Sequence, residues 1–156
     1  MQFVSEQVIE EAVAFLNQSE KNYQTAVETL QFQQPILLSY LWNEDFKVFT
    51  PKERDFMLFL LLVIWKSIQP YADELETITE KKLADTEEGN WEKIQSTKTK
   101  NFREKLDVFF ENYNQEDLLA FLEDTISDEE EEMITKDGRE SIFVAMKSIL
   151  DCLTQA

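Results

Sequence analysis

Apolar residues recur at helical spacing along almost the whole chain. Ser5 can cap a first helix that carries Val8, Ile9, Ala12, Val13, Phe15 and Leu16 on its inner side. Ser19 can cap a second, with Tyr23, Ala26, Val27 and Leu30 as its stripe. Pro35 fits the first position of a short third helix, PILLSYLW. The link NEDFKVF follows, and its Phe46, Val48 and Phe49 are expected to fold back onto the body. Thr50-Pro51-Lys52-Glu53 reads as a capping box: Thr50 caps, Pro51 fits the first turn and Glu53 reaches back. Pro70 kinks or ends this fourth helix, because its ring removes an N–H and crowds the preceding turn. Residues 71–85 are expected to continue as helix on a thin stripe of Leu75, Ile78 and Leu83. A separate short turn is expected after Thr86, with Gly89 as its weak point. Phe102, Leu106, Phe109, Phe110 and Tyr113 define the most regular helical face. Asn114 and Asp117 mark a new start for Leu118, Leu119, Leu122 and Ile126. Ile142, Phe143, Met146, Ile149, Leu150 and Leu153 make a final amphipathic helix.

The exception to this periodicity is FMLFLLLVIW, residues 56–65, ten apolar side chains in succession. Ten helical residues span about 15 Å, half of a bilayer core of about 30 Å. Lys52, Glu53, Arg54, Asp55 and Lys66 flank the run, so it does not read as a membrane span. A helix that is apolar all round must be covered all round. The expectation is therefore an all-α, compact, single-domain bundle of seven or eight helices over residues 1–156. Its centre is the hydrophobic helix at about residues 51–69. A face of that helix left for a second subunit, or a ligand pocket lined by Trp42 or Trp65, is the alternative use of the run.

Composition supports helices. Two Gly and three Pro in 156 residues are too few for the turns of a sandwich or barrel. A single cysteine, Cys152, forms no internal disulfide, and the N-terminus has no basic segment of a signal peptide. A cytoplasmic location is expected by elimination.

Chemistry is sparse. There is no histidine, which removes Ser-His and Cys-His nucleophilic systems and most zinc and di-iron sites. Two isolated glycines cannot build a phosphate-binding loop. Cys152 has only Lys147 as a nearby base in sequence and reads as an ordinary packing or surface thiol. The intact Glu-Glu-x-x-Glu pattern with which helical nucleotide pyrophosphohydrolases hold magnesium is missing. Asp128-Glu129-x-x-Glu132 and Glu104-x-x-Asp107 only approximate it. Asp124, Asp128 and Glu131 or Glu132 would share a face if helix ran on through Ser127; otherwise Asp128–Glu132 is a solvated helix start capped by Ser127. No catalytic residue, metal site or cofactor is assigned.

Charge adds the one positive signal. The formal net charge is −17, which repels phosphate backbones and anionic lipids. Residues 51–100 are nearly balanced, with eight bases against ten acids, whereas Glu111 to Thr135 holds ten acids and no Lys or Arg. A continuous helix there would line up charge like a nucleic-acid strand, but caps near Asn114 and Ser127 interrupt it. The candidate partner-binding residues are Glu123, Asp124, Asp128, Glu129, Glu130, Glu131 and Glu132. The expected function is a non-enzymatic interaction protein, an adaptor or an inhibitor of a basic protein. It contacts neither nucleic acid nor membrane and is a monomer or a homodimer. A metal-dependent phosphate-ester hydrolase and a small-ligand or lipid binder are the two other classes.

Overall fold

The computed structural model describes residues 1–42, 49–128, 135 and 138–155. Among them are eight α-helices, one 3-10 turn and no strand, packed as a single bundle. The helices are α1 (Glu6–Gln18), α2 (Glu20–Gln33), α3 (Pro35–Leu41), α4 (Pro51–Ile68), α5 (Glu80–Gln95), α6 (Phe102–Phe110), α7 (Glu116–Ser127) and α8 (Gly138–Thr154). The starts follow the caps. Ser5 Oγ accepts from Val8 N–H, Ser19 Oγ from Asn22 N–H, and Asn101 Oδ1 from Glu104 N–H. The Thr50–Glu53 capping box is formed in both directions.

The apolar run is covered as its composition requires. Phe56, Met57 and Leu60 to Trp65 are buried, and only Leu58 and Phe59 are partly exposed. Segment Pro51–Glu74 is long and apolar enough to cross a membrane, yet most of its apolar window is buried against other helices. Trp65 sits in the core, while Trp42 is half exposed. Phe49 is buried; Phe46 and Val48 lie outside the described residues.

Three expectations are corrected. First, residues 71–85 do not continue the helix. A 3-10 turn, Gln69–Glu74, follows α4, and α5 starts only after Thr79, whose Oγ1 accepts from Lys82 N–H. The extended link between them is held by buried Gln34. Its Nε2 donates to Glu76 O at 3.0 Å and its Oε1 accepts from Ile78 N–H at 2.9 Å. Buried Gln115 treats the N-terminal segment the same way, donating to Gln2 O at 2.8 Å and accepting from Val4 N–H at 2.9 Å. In each case one side-chain amide satisfies two backbone groups that helix would otherwise have paired.

Second, α5 passes straight through Gly89 without a break. Third, α8 is not amphipathic in its burial: Ile142 to Leu150 are all buried, Lys147 and Ser148 included. The bundle therefore has two enclosed helices. α4 packs against α1, α2, α3 and α8; α8 is in turn covered by α5 and α7.

Glu53 joins the two enclosed helices. It is 1% exposed. Its Oε1 accepts from Thr50 N–H at 3.0 Å, and its Oε2 accepts from Thr135 N–H at 3.3 Å and Thr135 Oγ1 at 3.1 Å. Thr135 Oγ1 accepts in turn from Gly138 N–H at 3.0 Å, at the first residue of α8. A Cβ on Gly138 would collide with this carboxylate, whereas a Cβ on Gly89 would meet nothing within 4 Å.

The same substitution should thus have opposite effects at the two glycines. Gly138→Ala is expected to destabilise by about 1–3 kcal/mol through forced displacement of Glu53. Gly89→Ala should stabilise by about 0.5–1 kcal/mol through reduced backbone freedom in the unfolded chain. Urea titration of the two variants checks both signs; a stable Gly138→Ala protein would contradict the Glu53 contact.

Candidate functional site

The acidic stretch is not one continuous surface. α6 ends at Phe110 and α7 begins at Glu116, so the helix is interrupted near Asn114, although the N-cap is Gln115 and its side chain makes no capping bond. Asn112 in the connection has a left-handed backbone, φ 57°, which asparagine tolerates better than most residues. α7 stops at Ser127, and the helix start expected after Ser127 lies outside the described residues.

The predicted residues separate accordingly. Glu123 and Asp124 stand side by side on α7, where Arg103 of α6 donates from Nη1 to Glu123 Oε1 and Asp124 Oδ1, both at 3.2 Å. Burial pushes the Glu123 carboxyl up, and Arg103 opposes the shift. Asp128 caps the end of α7, and its carbonyl accepts from Arg139 Nη2 at 3.5 Å. Glu129, Glu130, Glu131 and Glu132 lie outside the described residues. Among the described residues no three His, Cys, Asp or Glu side chains are placed to hold a metal ion.

A groove of about 470 Å³ runs between α1 and α7. α1 lines it with Glu6, Ile9, Glu10 and Val13; α7 lines it with Asp117, Ala120, Phe121 and Asp124. Both sets fall at i, i+3, i+4 and i+7, the residues that one helix presents along one face. The middle is apolar and the edges carry four carboxylates, with no lysine or arginine in the lining. Asp117 has a second task, since its Oδ2 accepts from Glu6 N–H at 3.0 Å and ties the start of α1 to α7. Of the residues predicted from sequence, only Asp124 lines this groove. Glu6, Glu10 and Asp117 were missed, because the two helices that bring them together are about 110 residues apart in sequence. The shared i, i+3, i+4, i+7 spacing was the available signal.

A second polar centre was also missed. Lys147 of α8 is 3% exposed. It donates to both oxygens of Asp151, each at 2.8 Å. Tyr113 Oη donates to Asp151 Oδ1 at 2.6 Å, and Asn90 Nδ2 donates to Asp151 Oδ2 at 3.1 Å and to Ser148 Oγ at 3.0 Å. The carboxylate thus receives four donations, about its full capacity. The Lys147 ammonium also lies over the rings of Phe109 and Tyr113, 5.1 and 4.6 Å from their centroids. Burial lowers the Lys147 pKa, with Asp151 pulling it back up. Burial and the Asp151 charge raise the Tyr113 pKa. Cys152 is buried beside this centre, its Sγ 3.6 Å from Thr86 Oγ1, and burial raises its thiol pKa, which fits a packing thiol. On the neighbouring face, Tyr40 Oη donates to Glu87 Oε2 at 2.8 Å, and burial together with Glu87 raises the Tyr40 pKa as well.

These shifts set a pH dependence. Tyr40 and Tyr113 ionise later in the folded chain than in the unfolded one. Their contribution is complete below the ordinary phenol value of about 10 and is lost as pH rises above it, because the unfolded chain releases those protons first. Lys147 acts with the opposite sign, and only below the ordinary ammonium value of about 10.4. Stability is therefore expected to fall steeply above about pH 10.5. The double variant Tyr40→Phe, Tyr113→Phe should show a shallower fall, not a flat one, since Tyr23 is also raised. Urea titrations across this range check the slope, and an unchanged slope in the double variant would contradict the assignment. Compared with family models, curated proteins and solved structures, the chain matches none of them.

Proposed function

We propose that this chain is a non-enzymatic interaction protein that holds a basic, amphipathic segment of a partner protein in the groove between α1 and α7. The observation that carries this reading is the groove's composition. Ile9, Val13, Ala120 and Phe121 offer an apolar floor, and Glu6, Glu10, Asp117 and Asp124 rim it without a compensating cation in the lining. A helix with an apolar stripe and flanking lysines or arginines is the complement of such a surface. The partner's apolar side chains would lose water on the floor while its cations meet the rim carboxylates. The net charge of −17 adds long-range attraction for a basic partner and speeds encounter at low salt. Arg103 pairs with Asp124 and limits the acidic surface there, so α1 supplies the stronger edge.

Titration calorimetry with a cationic amphipathic helical peptide tests the reading, with oligolysine of equal charge as the comparison. The amphipathic peptide should bind, the oligolysine should bind more weakly, and added salt should weaken both. Glu6→Lys combined with Glu10→Lys should weaken the peptide by about tenfold or more. Equal binding of the two peptides would overturn the groove as the site. So would an equal loss on reversing Glu88, which is exposed on α5 and outside the groove.

A further inference from the structure

The lysine distribution points to a second ligand of opposite charge. The chain has 15 basic residues against 32 acidic ones. Yet one cleft of about 400 Å³, bounded by α5, the α6–α7 connection and α8, is lined by Lys82, Lys93 and Lys147, with only Glu111 and Asp151 as acids. Asp151 does not cancel the outer lysines, because its oxygens are occupied by Lys147, Tyr113 and Asn90. Lys82 and Lys93 are exposed and make no ion pair with a described residue.

Their placement fixes the shape of what they could hold. They lie eleven positions apart on α5, which is about 16 Å along the axis and within about 20° of the same face. Their flexible four-carbon stems allow both ammonium groups to turn toward the space between. Asn112 lines that cleft, is exposed and makes no side-chain hydrogen bond to a described residue; Thr86 lines it too, but its hydroxyl already donates to Lys82 O at 2.7 Å. Two of the three ammonium hydrogens of Lys147 go to Asp151, and the charge lies between the Phe109 and Tyr113 rings at the cleft wall. Two cations at the two ends of one cleft, unpaired among the described residues, suit an elongated anion, not a single ion.

We propose that this cleft binds a small organic polyanion, one anionic group held by Lys82 and another by Lys93. Carboxylate and phosphate groups share this chemistry, and the probes separate them. None of the three lysines lines the α1–α7 groove, so this site stands or falls apart from the proposed partner binding.

Citrate, pyrophosphate and inorganic phosphate are titrated into the full chain at constant ionic strength, followed by calorimetry and thermal melting. Citrate or pyrophosphate should bind saturably and raise Tm by about 2–4 °C near saturation. Lys82→Gln and Lys93→Gln should each weaken that probe about tenfold, the loss of one hydrogen bond to a charged group. Lys81→Gln removes the same charge from the same helix at a residue paired with Asp85 outside the cleft, and should leave binding unchanged. Absence of saturable binding overturns the proposal, as does an equal loss in Lys81→Gln. Loss in only one of the two cleft variants, or inorganic phosphate binding as tightly as pyrophosphate, overturns the two-ended ligand.

Discussion

Two helices that are enclosed along most of their length govern this structure. α4 is buried because ten successive apolar residues leave it no polar face. α8 is buried although it carries Lys147, Ser148 and Thr154. Each of these polar side chains is satisfied before it is enclosed: Ser148 and Thr154 donate to the carbonyls of Val144 and Leu150 at 2.7 Å, and Lys147 meets Asp151. Enclosing both helices uses the inner faces of the others. The outer faces are left to carry the acidic surplus, which accounts for a greasy centre and a strongly negative shell in one small chain.

Helix starts were legible because capping is local. Ser5, Ser19, Pro35 and the Thr50–Glu53 box act within one turn of their own sequence. Residues 71–85 were misread because their stripe of Leu75, Ile78 and Leu83 is compatible with helix, and what prevents helix is remote. Gln34, more than 40 residues away, occupies the backbone of Glu76 and Ile78. Gly89 lowers helix propensity without forbidding helix, and α5 has enough tertiary contact with α8 to absorb that cost. The apolar stripe of α8 suggested an outward face; the residues that make the burial of Lys147 tolerable include Asn90 and Tyr113 on other elements.

The candidate sites were less legible than the fold for the same reason. The charge count singled out residues 111–135 as a stretch; that Asp124 lines a groove beside α1 is seen only in the structure. The count could not show that Arg103 would turn toward Glu123 and Asp124, or that Glu6 and Glu10 would face α7. The lysine cleft escaped notice because residues 51–100 looked balanced in total charge. Balance along the sequence conceals separation in space: Lys82 and Lys93 turn to one side of α5 while Glu80 and Glu87 line a different cavity beside α3.

The paired enclosed helices are tested most directly by native-state hydrogen exchange. The amides of Leu60 to Trp65 in α4 and Val144 to Leu150 in α8 should be the slowest in the chain. Both sets should exchange at one shared free energy, equal to that of global unfolding measured by urea. If α8 instead exchanges through a cheaper opening while α4 stays protected, the two helices are not a single core and this account of the fold is wrong.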